Sequence, residues 1–161
     1  SDFAQVKNAV ETLLAVHKRI DILFNNAAVY PKANFLHEDA ADFASALAIN
    51  MGGVANCCKA VLPAMIAQNF GRIYNLGSWA HLGPIADSAV YSATKGGVHS
   101  LTKGIAVDVA NAYPEADIEI HEWIPRPHAS KKNSIFEQGW EWQPPRSLKQ
   151  KIKAKLLFWK K

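Results

Sequence analysis

Helical and strand-like patterns alternate along the first 125 residues of the chain, and this alternation limits the folds open to it. The opening stretch carries Phe3, Val6, Val10, Leu13 and Leu14 on one helical face. Ser1 or Asp2 is placed to cap it, and Lys18 and Arg19 stand at its end, where positive charge suits a helix C-terminus. Asp21-Ile22-Leu23-Phe24 is too short for a buried helix and reads as a buried strand that stops at Asn25-Asn26-Ala27-Ala28. A loop over 29–38 leads to a helical pattern over 39–68, interrupted at Gly52-Gly53 and bent at Pro63. Gly71 breaks the chain, and Arg72 to Leu76 forms a second strand ending at Gly77-Ser78. After a loop with Gly83 and Pro84, a helix is predicted over 87–112. Ile118 to Ile124 then alternates as a third strand, stopped by Pro125. The order α-β-α-β-α-β predicts the α/β class, a parallel sheet with flanking helices. Ligands of such sheets sit beyond the carboxyl ends of the strands, and Asn25-Asn26 and Ser78 stand at two of those ends.

Charge divides the chain where this pattern stops. Residues 1–125 hold 8 Lys/Arg and 12 Asp/Glu, whereas residues 126–161 hold 10 and 2. The chain therefore divides into an α/β segment, 1–125, and a divergent basic tail, 126–161. Over 147–161 the tail places Leu148, Ile152, Leu156 and Trp159 on one helical stripe flanked by lysines. Such a basic amphipathic pattern can meet an anionic membrane or a partner groove; a solvated or disordered tail is the favoured reading. No nucleic-acid-binding module surrounds the basic run, so no nucleic-acid partner is expected. No apolar run reaches the roughly 18 residues of a membrane span; Val54 to Ala67 is interrupted by Lys59. Nothing at the N-terminus resembles a secretory signal. The adjacent Cys57 and Cys58 read as reduced small hydrophobes of a cytoplasmic protein, and no metal site is expected.

The chemistry-bearing pattern is Tyr91-Ser92-Ala93-Thr94-Lys95, a tyrosine and a lysine four apart on one helical face. A phenol with a reference pKa of about 10 transfers protons poorly at neutral pH, and a neighbouring ammonium favours its phenolate. The pair is thus a workable general acid/base. Ser78 leaves a strand end thirteen residues before Tyr91, placed to orient a substrate oxygen.

Four segments together resemble the short-chain dehydrogenase/reductase family. Asn25-Asn26-Ala27-Ala28 is similar to its N-N-A-G motif. Asn50, within Ile49-Asn50-Met51-Gly52-Gly53-Val54, resembles the helix asparagine of its catalytic tetrad. Gly71 to Ser78 resembles the strand leading to its serine, and Tyr91-Ser92-Ala93-Thr94-Lys95-Gly96-Gly97 its Y-S-A-S-K helix start. The resemblance covers residues 1–125 and implies part of a Rossmann-like, doubly wound parallel sheet. It also implies an oxidoreductase moving hydride between NAD or NADP and a small carbonyl or alcohol substrate. In that scheme Tyr91 is the acid/base, Lys95 tunes it and binds the nicotinamide ribose, and Ser78 holds the substrate oxygen. Asn50 anchors a water leading from Lys95, or alternatively marks a helix bend by binding backbone. Asn26 and Ala27 border the cofactor, while Asn25 ties strands together and Trp79 is a candidate pocket wall. A homo-oligomer through the helices 39–68 and 87–112 is implied, and the small residues Ala44, Ala46, Gly52, Gly53 and Ala55 fit such close approach.

The sequence also departs from the family. The T-G-x-x-x-G-x-G turn that cradles the pyrophosphate does not occur. Pro125-Arg126 stands where the family has Pro-Gly, and Ser130 is the one candidate for its nicotinamide-contacting threonine. These departures predict a truncated chain with negligible activity by itself. Composition and motif fail together after Pro125, which favours truncation or a frameshift over divergence. The alternative function is a non-enzymatic fragment acting through its basic tail or through helix-mediated oligomerisation.

Overall fold

A computed structural model describes residues 2–83 and 85–125. Ser1, Ser130 and the whole basic tail lie outside the described residues. Helix α1 (Phe3–His17) starts at Asp2, whose carboxylate accepts the Ala4 N–H at 2.8 Å. It ends at Lys18, which adopts a left-handed conformation with φ 65°. Strand β1 (Ile22–Asn25) follows. A 3-10 turn (Phe35–His37) then leads to α2 (Ala40–Ala46), a π-helical turn (Leu47–Gly52) and α3 (Gly53–Ala67). The long predicted helix over 39–68 is therefore one continuous path carrying an extra-wide turn in its middle. This path is long and apolar enough to cross a bilayer. Val54, Cys58, Val61 and Met65 from it lie in the core, so packing against the sheet accounts for its apolar character.

Strand β2 (Phe70–Leu76) begins two residues earlier than the pattern predicted. Asn69 reverses the chain in one left-handed step (φ 55°), leaving Gly71 inside the strand rather than at a break. The Gln68 amide supports this turn by donating to the carbonyls of Ile20 and Phe70, both at 2.7 Å. A 3-10 turn (Trp79–His81), helix α4 (Ala89–Ala112) and strand β3 (Asp117–Trp123) complete the described chain.

The three strands form one parallel sheet in the order β1-β2-β3. Its register sorts side chains onto two unlike faces. Leu23, Asn25, Ile73, Asn75, Ile118, Ile120 and Glu122 share one face, which α3 and α4 cover, with α1 packed on α3. A single apolar cluster fills that side, centred on Ile73, Met65, Val98 and Ile118. The opposite face carries Ile22, Phe24, Arg72, Tyr74, Glu119, His121 and Trp123, and none of these joins the cluster. Its aromatic rings pack on one another instead. Tyr74 stacks on His121 at 5.3 Å, and Phe24 lies 5.9 Å from Tyr74 and 5.6 Å from Trp123. His121 and Trp123 thus pack on the strand face, as their alternation predicts.

Two neighbouring residues of β2 should report this asymmetry. Ile73→Ala empties a fully buried site and is expected to cost about 2–5 kcal/mol in denaturant unfolding. Tyr74→Ala, one residue on but facing the other way, should cost clearly less, because its half-buried ring leaves no closed cavity. Equal losses would overturn the assignment of faces.

Candidate active site

The carboxyl end of the sheet is held together from inside. The Asn25 amide donates to the Asn75 side-chain oxygen at 2.8 Å, and the Asn75 amide donates to Thr102 Oγ1 at 3.0 Å. Thr102 in turn donates to the Val98 carbonyl at 2.7 Å. Asn75 and Thr102 are fully enclosed, so each bond satisfies a group that water cannot reach. Asn25, predicted to tie strand backbones together, joins β1 to β2 through the Asn75 side chain instead. Cys58 lies beside the same amides, and burial pushes its thiol up to about 11, which fits an inert thiol. Neither cysteine forms a disulfide.

Asn50 lies in the π-helical turn and is 1% exposed. Its side-chain oxygen accepts the Val29 N–H at 2.8 Å, and its amide donates to the Val29 carbonyl at 2.9 Å and to Thr94 Oγ1 at 3.0 Å. Both amide protons are used, which matches the backbone-binding role at a helix bend. Such wide turns re-aim side chains at functional sites. Thr94 passes the link on by donating to the Tyr91 carbonyl at 2.8 Å. Asn50 therefore joins the loop after β1 to the helix that carries the tyrosine. The same loop brings Tyr30 edge-on against the Tyr91 ring, with centroids 4.5 Å apart. Thr94 stands inside the Tyr91-to-Lys95 motif without a role marked for it there, and no sequence signal marked Tyr30.

Tyr91 and Lys95 share a face of α4, with the Lys95 ammonium 5.6 Å from the centre of the Tyr91 ring. Lys95 is 3% exposed and donates to the Leu76 carbonyl at 2.7 Å, two residues before Ser78. Burial holds its pKa below the usual lysine range, and the Glu122 carboxylate opposes that shift. Ser78 Oγ caps the following turn by accepting the Ala80 N–H at 3.1 Å, which leaves the hydroxyl proton available for a ligand oxygen. Trp79 donates to the Pro125 carbonyl at 2.7 Å, bringing the chain beyond β3 next to the serine. Asn26 and Ala27 are exposed just past the end of β1.

Asn50, Ser78, Tyr91 and Lys95 thus lie on elements tied to one another at the strand ends, and Asn26 and Ala27 stand at the rim.

Residues 1–130 match the family model described as short chain dehydrogenase. The 2-(R)-hydroxypropyl-CoM dehydrogenase of Xanthobacter autotrophicus is 35% identical over 115 residues, which are 70% of this chain and 46% of that protein. A gluconate 5-dehydrogenase from Burkholderia cenocepacia, solved with NADP and tartrate, superposes with a TM-score of 0.71 at 33% identity, over 77% of this chain and 47% of that one. An NAD+-bound xylitol dehydrogenase gives 0.70 at 34% identity, over 75% and 45%. The chain spans less than half the length of each of these relatives. Matched over most of its length and sharing their parallel sheet, the chain belongs to the short-chain dehydrogenase family.

Proposed function

We propose that this chain carries the proton-transfer and substrate-orienting part of an NAD(P)-dependent oxidoreductase acting on a small carbonyl or alcohol. The observation carrying this reading is the buried Lys95 ammonium, docked on the last carbonyl of β2 beside the start of the Ser78 turn and under the Tyr91 ring. Bound, a nicotinamide cofactor supplies or accepts the hydride. The Tyr91 hydroxyl gives a proton to the carbonyl oxygen in the reductive direction and takes it from the alcohol in the other. Lys95 lies beneath the Tyr91 ring and offers its remaining N–H donors to the ribose. Ser78 donates its free hydroxyl proton to the substrate oxygen. Asn50 acts as a positioning residue, holding Val29 and hence Tyr30 against Tyr91. Asn26 and Ala27 are the candidates for the cofactor's border.

The described residues fit the nicotinamide-ribose end of such a cofactor. They offer its diphosphate no cradle, since none of the described glycines takes the left-handed conformation of a tight phosphate-binding turn. The choice between NAD and NADP stays open in this proposal. A cytoplasmic setting fits the unpaired cysteines. Pairing of two copies through α3 and α4 has support at Gly53 and Gly104, where an added Cβ would meet nothing within 4 Å. Packing within the chain therefore does not require glycine there, whereas a close helix from a second copy would.

The 161-residue chain alone should oxidise NADPH or NADH with small ketones at no measurable rate. Joined behind the N-terminal half of the Burkholderia gluconate dehydrogenase, it should turn over. There Tyr91→Phe is expected to reduce turnover about 10²–10⁴-fold with an unchanged melting curve. Turnover that survives Tyr91→Phe, or a folded chimera inactive across a panel of ketones, would sink the proposal. In the unfused chain, Asn50→Ala should cost at least about 1–3 kcal/mol, because it strands the Val29 N–H and carbonyl. A neutral result in chemical denaturation would remove the positioning role.

A further inference from the structure

A second polar cluster lies behind Ser78; its charge reaches the proposed machinery only through Glu122, which acts on Lys95. His81 ends the turn Trp79–His81, His99 lies one helical turn beyond Lys95 on α4, and Glu122 stands near the end of β3 on the helix-covered face. One ligand atom from each of the three lies within 4.8 Å of the others. The imidazole rings of His81 and His99 are 5.0 Å apart.

Two atoms of this cluster are buried without a hydrogen-bond partner among the described residues: His81 Nε2 and Glu122 Oε1. The Glu122 side chain is only 9% exposed, so its orphaned oxygen cannot turn to water. An unpaired acceptor in such a place costs about 1–3 kcal/mol. His81 Nδ1 lies against the Ser78 carbonyl. A carbonyl only accepts, so that nitrogen carries the proton and the Nε2 lone pair faces the cluster. This is the tautomer of a metal-binding histidine, whose other nitrogen is fixed by a backbone carbonyl.

We propose that His81, His99 and Glu122 form a binding site for a divalent transition-metal ion of the zinc type. Two imidazoles and a carboxylate make a donor set suited to that class, with a fourth position left for water. His99 Nδ1 meets Glu122 Oε2, and its Nε2 lies 2.7 Å from the Lys103 amine. Zn²⁺ would take the place of the proton that His99 Nδ1 presents to Glu122, with the two side chains drawing apart to admit it. That proton leaves to solvent, and the Lys103 ammonium passes one of its own protons to His99 Nε2, which keeps the metal-bound imidazole neutral. The ion would join the turn after Ser78, helix α4 and strand β3. Its role is to hold the serine's backbone in place; it does not touch the reacting atoms. The three residues come from three separate elements, which is why no spacing motif announced them.

The test is titration of the full, chelator-treated chain with ZnCl2, read by calorimetry and by thermal melting. One ion should bind per chain, with a rise in melting temperature as Zn²⁺ is added. His81→Gln and Glu122→Gln should each weaken binding by about 100-fold or more, the upper end of what losing a mere outer-shell partner costs. His121→Gln, on the opposite face of the sheet, should leave the affinity unchanged. No saturable binding, undiminished binding in His81→Gln, or an equal loss in His121→Gln would each overturn the proposal. If Glu122→Gln fails to give a folded circular-dichroism spectrum, His81→Gln decides alone, since that ring is tied to the fold by one carbonyl contact.

Discussion

The Asn75 side chain sits near the carboxyl end of the central strand, on the helix-covered face and closed off from water. Its amide holds Asn25 of β1 on one side and Thr102 of α4 on the other. An amide buried this deeply tolerates only the arrangement that satisfies it. It thereby fixes the relative placement of three elements whose ends carry the polar groups of the site. Asn26 and Ala27 leave β1, Ser78 leaves β2, and Tyr91 and Lys95 lie earlier along α4. Apolar packing of Ile73, Val98 and Ile118 brings these elements together, but such contacts bear small slips. The amide relay does not.

The other buried polar groups follow the same logic. Asn50 is enclosed because it replaces hydrogen bonds that the loop after β1 cannot make for itself. Lys95 is enclosed because the last carbonyls of a parallel strand have no further strand partner along their edge and so accept a cation. The site is thus built largely from backbone groups that the secondary structure leaves over, each matched to one long or amide side chain.

Much of this was legible in the sequence, for identifiable reasons. The strand at Ile120 announces itself because burial on one face enforces alternation, those at Leu23 and Ile73 as short runs between polar or glycine breaks, and Tyr91 with Lys95 because four residues make about one helical turn. The first strand is not buried as its apolar run suggested, since Ile22 and Phe24 are exposed. The start of β2 was not legible, because Gly71 reads as a break while the actual reversal is made by Asn69, a residue tolerated there only through its backbone. The π-helical turn at Leu47–Gly52 was visible only as a run with too many glycines. Tyr30 and the cluster around Glu122 escaped altogether. They act across distances in sequence that no local period spans, and their residue types are ordinary where they stand.

The strand order has one more consequence. Because β1, β2 and β3 lie side by side in the order of the chain, each new strand pairs with the one made just before it, about 50 residues earlier. Parallel pairing ordinarily folds slowly, since distant segments must meet before any contact rewards them. Here each described pairing is closed by a single helical crossover, so the separation in sequence is no longer than one strand-helix-strand unit. Among the described strands, β3 brings in Glu122 and the Pro125 carbonyl, which meet His99 of α4 and Trp79 of the turn after Ser78. The corner of the sheet that carries the serine therefore depends on the pairing of β3 as well as on β2 itself.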